Sequence, residues 1–257
     1  MASQEIFESV YRGRQSAWHH LAYLRMSKVL LALHVLDRAG LKLEGKAIFD
    51  YGFGAGTFFR YCPKSAQLAG VEMDPQNVAA VRDGLRSRGY ANVRLEPITI
   101  ERWKEHPLLQ ERYDVFLCSH VLEHLPDPVS FLQRIRSCLK PEGVFVGLVP
   151  INERVVNPHH VQTCSRAGIE SWLSAVGMEA SVYVESDPWL YWIQPLYSAD
   201  TGLKHKLAQV FSLALGVPST LLGYRGWETI SPWYARLTAA KPTQAAFVAK
   251  LRERAPM

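Results

Sequence analysis

A doubly wound α/β sandwich built on a parallel sheet is the fold class this sequence predicts. Three observations lead there: short, nearly continuous apolar runs recur between Ala47 and Val149, capped helical stretches separate them, and a glycine-rich turn follows the first run. Apolar runs without polar alternation mark strands buried on both faces, and their regular interleaving with helices implies a sheet covered on both sides. The 257 residues, 48% hydrophobic and 21% charged, suit one large domain with a substantial core and an added lobe.

The elements follow in order. From Ile6 to Ala39 apolar residues recur at spacings of three and four, including Trp18, Leu21, Val29, Leu33 and Leu36, and Gly40 is placed to end the helix. Residues 1–40 therefore read as an N-terminal helical cap and 41–257 as the main domain. Strands are expected at Ala47 to Asp50, Leu68 to Glu72, Val93 to Ile98, Tyr113 to Cys118 and Val144 to Val149. Asp74-Pro75 and Asp127-Pro128 each supply an N-cap followed by proline at the first helical position, and Ser165 caps a third helix that Gly177 ends. Ala180 to Glu185 and Tyr234 to Ala239 are two further strand candidates, the second expected as the last core strand. That arrangement leaves 186–232 as an insertion. It carries Trp189, Trp192, Trp227, Tyr191, Tyr197 and Tyr224, with Trp233 at its end. Such an aromatic load suits either a lid over a pocket or a satellite core against the N-terminal helix.

Bulk properties exclude several classes. The formal charge of +5 is mild, and Arg82, Arg86, Arg88, Arg134 and Arg136 are scattered as solvated helix faces are, so no nucleic-acid partner is expected. Cys62, Cys118, Cys138 and Cys164 show no paired spacing, which fits a reduced, cytoplasmic setting. The N-terminal stretch lacks the apolar core of a signal peptide. The most apolar tract, Val210 to Tyr224, is interrupted by Ser212, Gly216 and Pro218, so no membrane span is expected.

The stretch IFDYGFGAG puts Gly52, Gly54 and Gly56 in the loop after the first strand, where ligands of open α/β sheets bind. A dinucleotide would require G-x-G-x-x-G to seat its pyrophosphate on a helix N-terminus, but Thr57 stands at the third glycine's place and no G-x-x-x-x-G-K-S/T occurs. A phosphate cradle is therefore disfavoured. A ligand with a ribose and a base but no pyrophosphate remains. Glu72 ends the second strand, where an acid can accept from both ribose hydroxyls, and Met73 offers an apolar face to a purine.

From Leu43 to Glu185 the chain resembles the class I S-adenosylmethionine-dependent methyltransferases. FDYGFGAG resembles that family's acid-x-G-x-G-x-G motif, GVEMDP its ribose-binding motif, and YDVFLCSHVLEHLPDP and LKPEGVFVGLVP its fourth and fifth strands. NPHHVQTCSRAGIESWLSAVGM resembles a segment of the branch that includes ubiquinone-type and small-molecule O-methyltransferases. The resemblance implies a Rossmann-like, doubly wound sheet of seven strands, the last antiparallel, with N-terminal helices and the aromatic-rich insertion before that last strand. It implies S-adenosylmethionine as cofactor, held by Asp50, Gly52, Phe53, Gly54, Gly56, Glu72, Met73, Thr99, Ile100, Ser119, His120 and His124. Thr99 departs from the family's usual acid after the third strand, and its hydroxyl is a weaker acceptor for an adenine amino group.

The methyl donor is already activated, so alignment and exclusion of water are the main requirements. Arg12 or Arg14 could pair with a methionine carboxylate, and either could equally be solvated. For a hydroxyl acceptor a histidine base would help, and His120, His159 and His160 are the candidates, with His124 readable as a structural residue. His159-His160 with Glu153 matches no compact zinc spacing, so no metal is expected. The expected partner is a small apolar or aromatic acceptor methylated at oxygen. The alternatives are a lipid or cell-surface glycan intermediate, with a peripheral membrane contact through Lys204, His205, Lys206 and the apolar tract to Tyr224, or a non-catalytic binding module.

Overall fold

The computed structural model describes residues 20–99, 101, 103–155, 157–197 and 203–252. Expectations placed on Arg12, Arg14, Trp18 and Ile100, and on the side chains of Tyr197, Lys204, His205 and Lys206, lie outside what it describes. The elements in chain order are α1 (Tyr23–Arg38), β1 (Ala47–Tyr51), β2 (Gln67–Glu72), α2 (Pro75–Ser87), β3 (Val93–Pro97), β4 (Tyr113–Ser119), α3 (Pro128–Ser137), β5 (Leu139–Pro150), α4 (Arg166–Ala175), β6 (Met178–Ser186), α5 (Leu190–Tyr197), α6 (Leu203–Thr238) and β7 (Gln244–Leu251).

The seven strands form one sheet in the order β3-β2-β1-β4-β5-β7-β6, with β7 antiparallel to both neighbours and the other pairings parallel. This is the seven-stranded, doubly wound sheet the sequence implies. From β1 the chain winds outward through β2 to β3, then returns to lay β4 on the other side of β1. The carboxyl ends of β1 and β4 therefore face a crevice that no crossover covers, the usual ligand position in such sheets.

Caps named from the sequence form as expected. Asp74 accepts from the Gln76 N–H, Asp127 from Ser130 and Ser165 from Gly168. The core has two layers. On one face Ile48, Leu117, Val146 and Val248 meet α1 and Val78, Val81 and Leu85 of α2; on the other Phe49, Phe116, Phe145 and Phe247 meet Phe131 of α3 and Ile169 of α4. Gly147 is small because Phe247 lies across it, with ring carbon Cζ 2.2 Å from where a Cβ would stand.

The last strand is not where the sequence reading put it. Tyr234 to Thr238 finish α6, and the strand is Gln244–Leu251. The physical reason is burial. Leu237 is 82% exposed, whereas Ala245 to Ala249 are wholly buried between β5 and β6. Ala, Arg and Leu in YARLTA favour helix, and the turn residue Ala239 (φ 52°) and Pro242 stop it. The segment between β6 and β7 accordingly extends through Thr243 rather than ending at 232.

The aromatic-rich segment packs as a satellite core against α1. Trp227 packs on Tyr23 of α1 at 5.5 Å between ring centroids, Trp189 on Trp227 at 4.8 Å, and Tyr234 stacks on Trp189 at 3.9 Å. Trp192 and Trp233 face solvent.

Candidate functional site

The loop after β1 turns on three left-handed glycines, Gly52 (φ 71°), Gly54 (φ 52°) and Gly56 (φ 64°). Each has a separate reason. A Cβ on Gly56 would stand 2.4 Å from Val81 Cγ1, so this glycine lets α2 close on the loop; one on Gly52 would meet Val121 at 3.2 Å. A Cβ on Gly54 would meet nothing within 4 Å, so the backbone is bare on the crevice side, as close approach of a ligand requires.

Glu72 binds that loop directly. Its Oε2 accepts the Gly54 N–H at 2.8 Å and its Oε1 the Met73 N–H at 2.7 Å. Burial raises its pKa, while these N–H groups and that of Asp74 oppose the rise. Asn77, in the first turn of α2, donates its amide to the Gly54 carbonyl and so holds the loop from the other side. Thr57 is buried, and its hydroxyl is 2.9 Å from His20 Nδ1.

Asp50 sits beneath the loop, 3% exposed, with Oδ1 buried and without a hydrogen-bond partner. Burial, and then the charge of Glu72, push its carboxyl well above the usual carboxylate range. Ser119, the last residue of β4, likewise has a buried Oγ without a partner. Two orphaned acceptors flanking bare glycine backbone at the switch point fit the ammonium and hydroxyl groups of an amino-acid nucleoside.

The family described as "Methyltransferase domain" matches residues 18–189, well over half of the chain. The chain belongs to the methyltransferase family. Its class I sheet and its glycine loop make S-adenosylmethionine the cofactor. The curated relatives include a ubiquinone biosynthesis O-methyltransferase of Histophilus somni, 33% identical over 115 residues, which cover 44% of this chain and 48% of that protein. The protein of the same name from Marinobacter nauticus is 31% identical over 151 residues, 55% of this chain and 62% of that one. The chain spans about half the length of the first of these relatives. Among solved structures, a Burkholderia thailandensis 1,6-didemethyltoxoflavin-N1-methyltransferase with S-adenosylhomocysteine bound has the same fold, with a TM-score of 0.57, 15% identity and coverage of 98% of this chain and 88% of that one.

The other residues expected in this methyltransferase site divide. Phe53 turns its ring into the core against Phe59, 5.7 Å between centroids, and contributes only backbone to the loop. Met73 packs on the second core layer. Thr99 is exposed after β3.

His120 adopts φ 57°, unusual for a residue with a side chain, and both ring nitrogens meet protein groups. Nε2 is 3.2 Å from Gln244 Oε1 and Nδ1 is 3.3 Å from Glu123 Oε1. The second contact has an ion-pair distance without hydrogen-bond alignment, so both oxygens of the fully buried Glu123 lack a hydrogen-bond partner. Burial, and the nearby charge of Lys28, lower the pKa of His120; Glu123 opposes them. Lys28 is itself pushed down to about 8 by burial.

The remaining histidines lie beyond Glu123. His124 Nδ1 pairs with the His159 carbonyl at 3.0 Å, and its ring meets that of His160 edge-on. His160 Nδ1 is 2.8 Å from Glu153 Oε2. The His159 side chain is exposed.

Sequence reasoning missed Glu123, Lys28, Asn77, Asp187 and Gln244. Asp187 accepts the Tyr23 hydroxyl at 2.5 Å and the Gln244 amide, and Gln244 continues to His120, so a buried polar chain runs from α1 to the end of β4. Gln244 could not be found because it begins the strand that the sequence reading displaced. Asn77 had a signal: it is a polar residue beside Val78 on the buried side of α2.

Proposed function

We propose that this methyltransferase transfers the methyl group of S-adenosylmethionine to a hydroxyl of a small apolar or aromatic acceptor. One observation carries the cofactor end of this reading: Glu72, at the end of β2, is hydrogen-bonded to the N–H groups of Gly54 and Met73, beside the bare backbone of Gly54. When bound, the cofactor supplies an electrophilic methyl group that needs no acid to activate it. Asp50 and Ser119 would hold its amino-acid end, Glu72 the ribose hydroxyls, and Met73 the base.

Oxygen as the methylated atom is supported by the names of the curated relatives and by one side-chain pair. Glu153 at His160 Nδ1 selects the tautomer whose Nε2 carries a lone pair, the form that can take a proton from a hydroxyl. His120 is the poorer candidate because Gln244 pairs with its Nε2 and the buried carboxylate of Glu123 stands 3.3 Å from its Nδ1. His159 contributes its carbonyl and leaves its ring in solvent.

Two measurements test the reading in sequence. Calorimetry should show S-adenosylmethionine and S-adenosylhomocysteine binding, and tritiated methyl transfer to a panel of phenols, catechols and hydroxylated isoprenoids should identify the acceptor class. Absence of binding by either cofactor form removes the whole reading; binding with transfer only to amines removes the oxygen assignment.

A further inference from the structure

Helix α6 is turned inside out over its first half. Ser212 and Ser219 are buried, and Gly216 lies so close to α1 that an added Cβ would stand 1.8 Å from the Leu21 carbonyl oxygen. The bulky apolar residues point the other way. Val210 is 63% exposed, Phe211 52% and Leu221 82%, with Leu207, Val217 and Leu222 also exposed. Positions 207, 210, 211, 214, 217, 218 and 221 recur at spacings of three and four, so they form one stripe. It runs about 22 Å along the helix axis. Packing on α1 has taken the small face, and among the described residues the apolar face stays exposed.

We propose that this stripe is a docking surface for an anionic lipid bilayer. Charge decides the occupant. No aspartate or glutamate occurs from Leu203 to Trp227, while Lys204 and Lys206 stand in the first turn and Arg225 follows the break at Gly223 (φ 63°). Arg225 pairs with Asp37 of α1 at 2.9 Å and remains 85% exposed at its side chain. A second copy docked through the same stripe would set these basic ends against one another with no acid in the segment to meet them. Anionic headgroups would neutralise them while the acyl boundary takes Phe211, Leu221 and Val210. No helix among the described residues is long and apolar enough to cross a membrane, so α6 lies on the surface rather than through it. The docking rests on α6 alone and not on the methyl-transfer reading.

The test is sedimentation of the full chain with vesicles of phosphatidylcholine and phosphatidylglycerol in equal parts, against phosphatidylcholine alone, at low salt. The protein should sediment with the anionic vesicles and be released by raised salt. The double variant Phe211→Glu, Leu221→Glu should lower the partition coefficient roughly tenfold or more. Both positions are exposed, so the variant's melting temperature and its S-adenosylhomocysteine affinity should match the parent's. No sedimentation of the parent, or equal sedimentation of parent and variant, overturns the proposal. So does light scattering that shows a dimer which the double variant splits.

Discussion

The backbone N–H of Gly54 points at Glu72 Oε2 across 2.8 Å, joining the glycine loop after β1 to the end of β2. Glu72 therefore shapes the loop as well as offering its remaining lone pairs to the crevice. Charge-assisted hydrogen bonds of this kind contribute about 1.5–3 kcal/mol. Replacing Glu72 by alanine should weaken S-adenosylhomocysteine binding by about 2–3 kcal/mol, roughly 30- to 150-fold in calorimetry. Glu72→Gln should fall between, since one amide oxygen can serve only one of the two N–H groups while its NH2 faces the other. Unchanged affinity in the alanine variant would remove Glu72 from the cofactor site.

Gly56 is required by a neighbour rather than by a ligand. A methyl group there would meet Val81 Cγ1 at 2.4 Å, on a backbone already at φ 64°. Gly56→Ala should destabilise the fold by about 2–4 kcal/mol, combining left-handed strain with overpacking. The pairing with Val81→Ala separates the two causes. The double variant should recover the packing part, so its penalty should be smaller than the sum of the single penalties in a denaturation cycle. Strict additivity would show that Val81 is not the obstacle.

These two glycines also show why some of the site could be read from the sequence and some could not. Alternating glycines after an apolar run announce a positive-φ turn, and Glu72 at the end of the next strand falls in place by the periodicity of the sheet, so local rules suffice. The strands through β6 and the three capped helices were legible for the same reason. Glu123 was not: an acid in the turn LEH ordinarily faces water, and it is 0% exposed here because His120, His124 and the chain after β5 close over it. Val161 and Gln162 both donate their N–H groups to the Glu123 carbonyl, a pairing across nearly forty positions that no local pattern encodes. The last strand was misplaced because YARLTA and QAAFVA are both short apolar runs, and only burial between β5 and β6 tells them apart.

Asp187 gives a prediction with a definite sign. Burial raises its carboxyl to about 6, despite hydrogen bonds from Tyr23 and Gln244 that favour the charged form. The native state thus binds this proton more tightly than the unfolded chain. The stability it contributes is fully present below the ordinary aspartate value of about 3.8 and is lost as pH rises through about 6. Comparison of urea midpoints for the parent and Asp187→Asn between these two values should show the parent losing stability relative to the variant, by on the order of 2–3 kcal/mol. A parent that gains on the variant over that window would show that Asp187 is charged in the fold at low pH.

Tyr23 links the same aspartate to the satellite core. Its hydroxyl donates to Asp187 Oδ1 at 2.5 Å and accepts the Trp227 indole N–H at 2.7 Å. Tyr23→Phe keeps the ring and removes both bonds, leaving a buried indole donor and a buried carboxylate oxygen unpaired. The expected cost is about 1–3 kcal/mol. It should shrink at a pH where Asp187 is protonated, because the neutral acid demands less of its surroundings. A penalty independent of pH would confine the effect to Trp227.

The Glu153 and His160 pair bears on the chemistry. A carboxylate 2.8 Å from Nδ1 fixes the ring's tautomer and its orientation, so its removal frees the imidazole without deleting it. With a hydroxyl acceptor that turns over, Glu153→Ala should lower kcat roughly 100-fold, at the low end of the range that a positioned base contributes. Calorimetric affinity for S-adenosylhomocysteine should stay constant, because neither residue touches the glycine loop or Glu72. His160→Ala should lose as much, and the two losses should not add, since one residue acts through the other. A full kcat in both variants would leave proximity and alignment as the source of the rate. Additive losses would mean that Glu153 and His160 meet the acceptor separately.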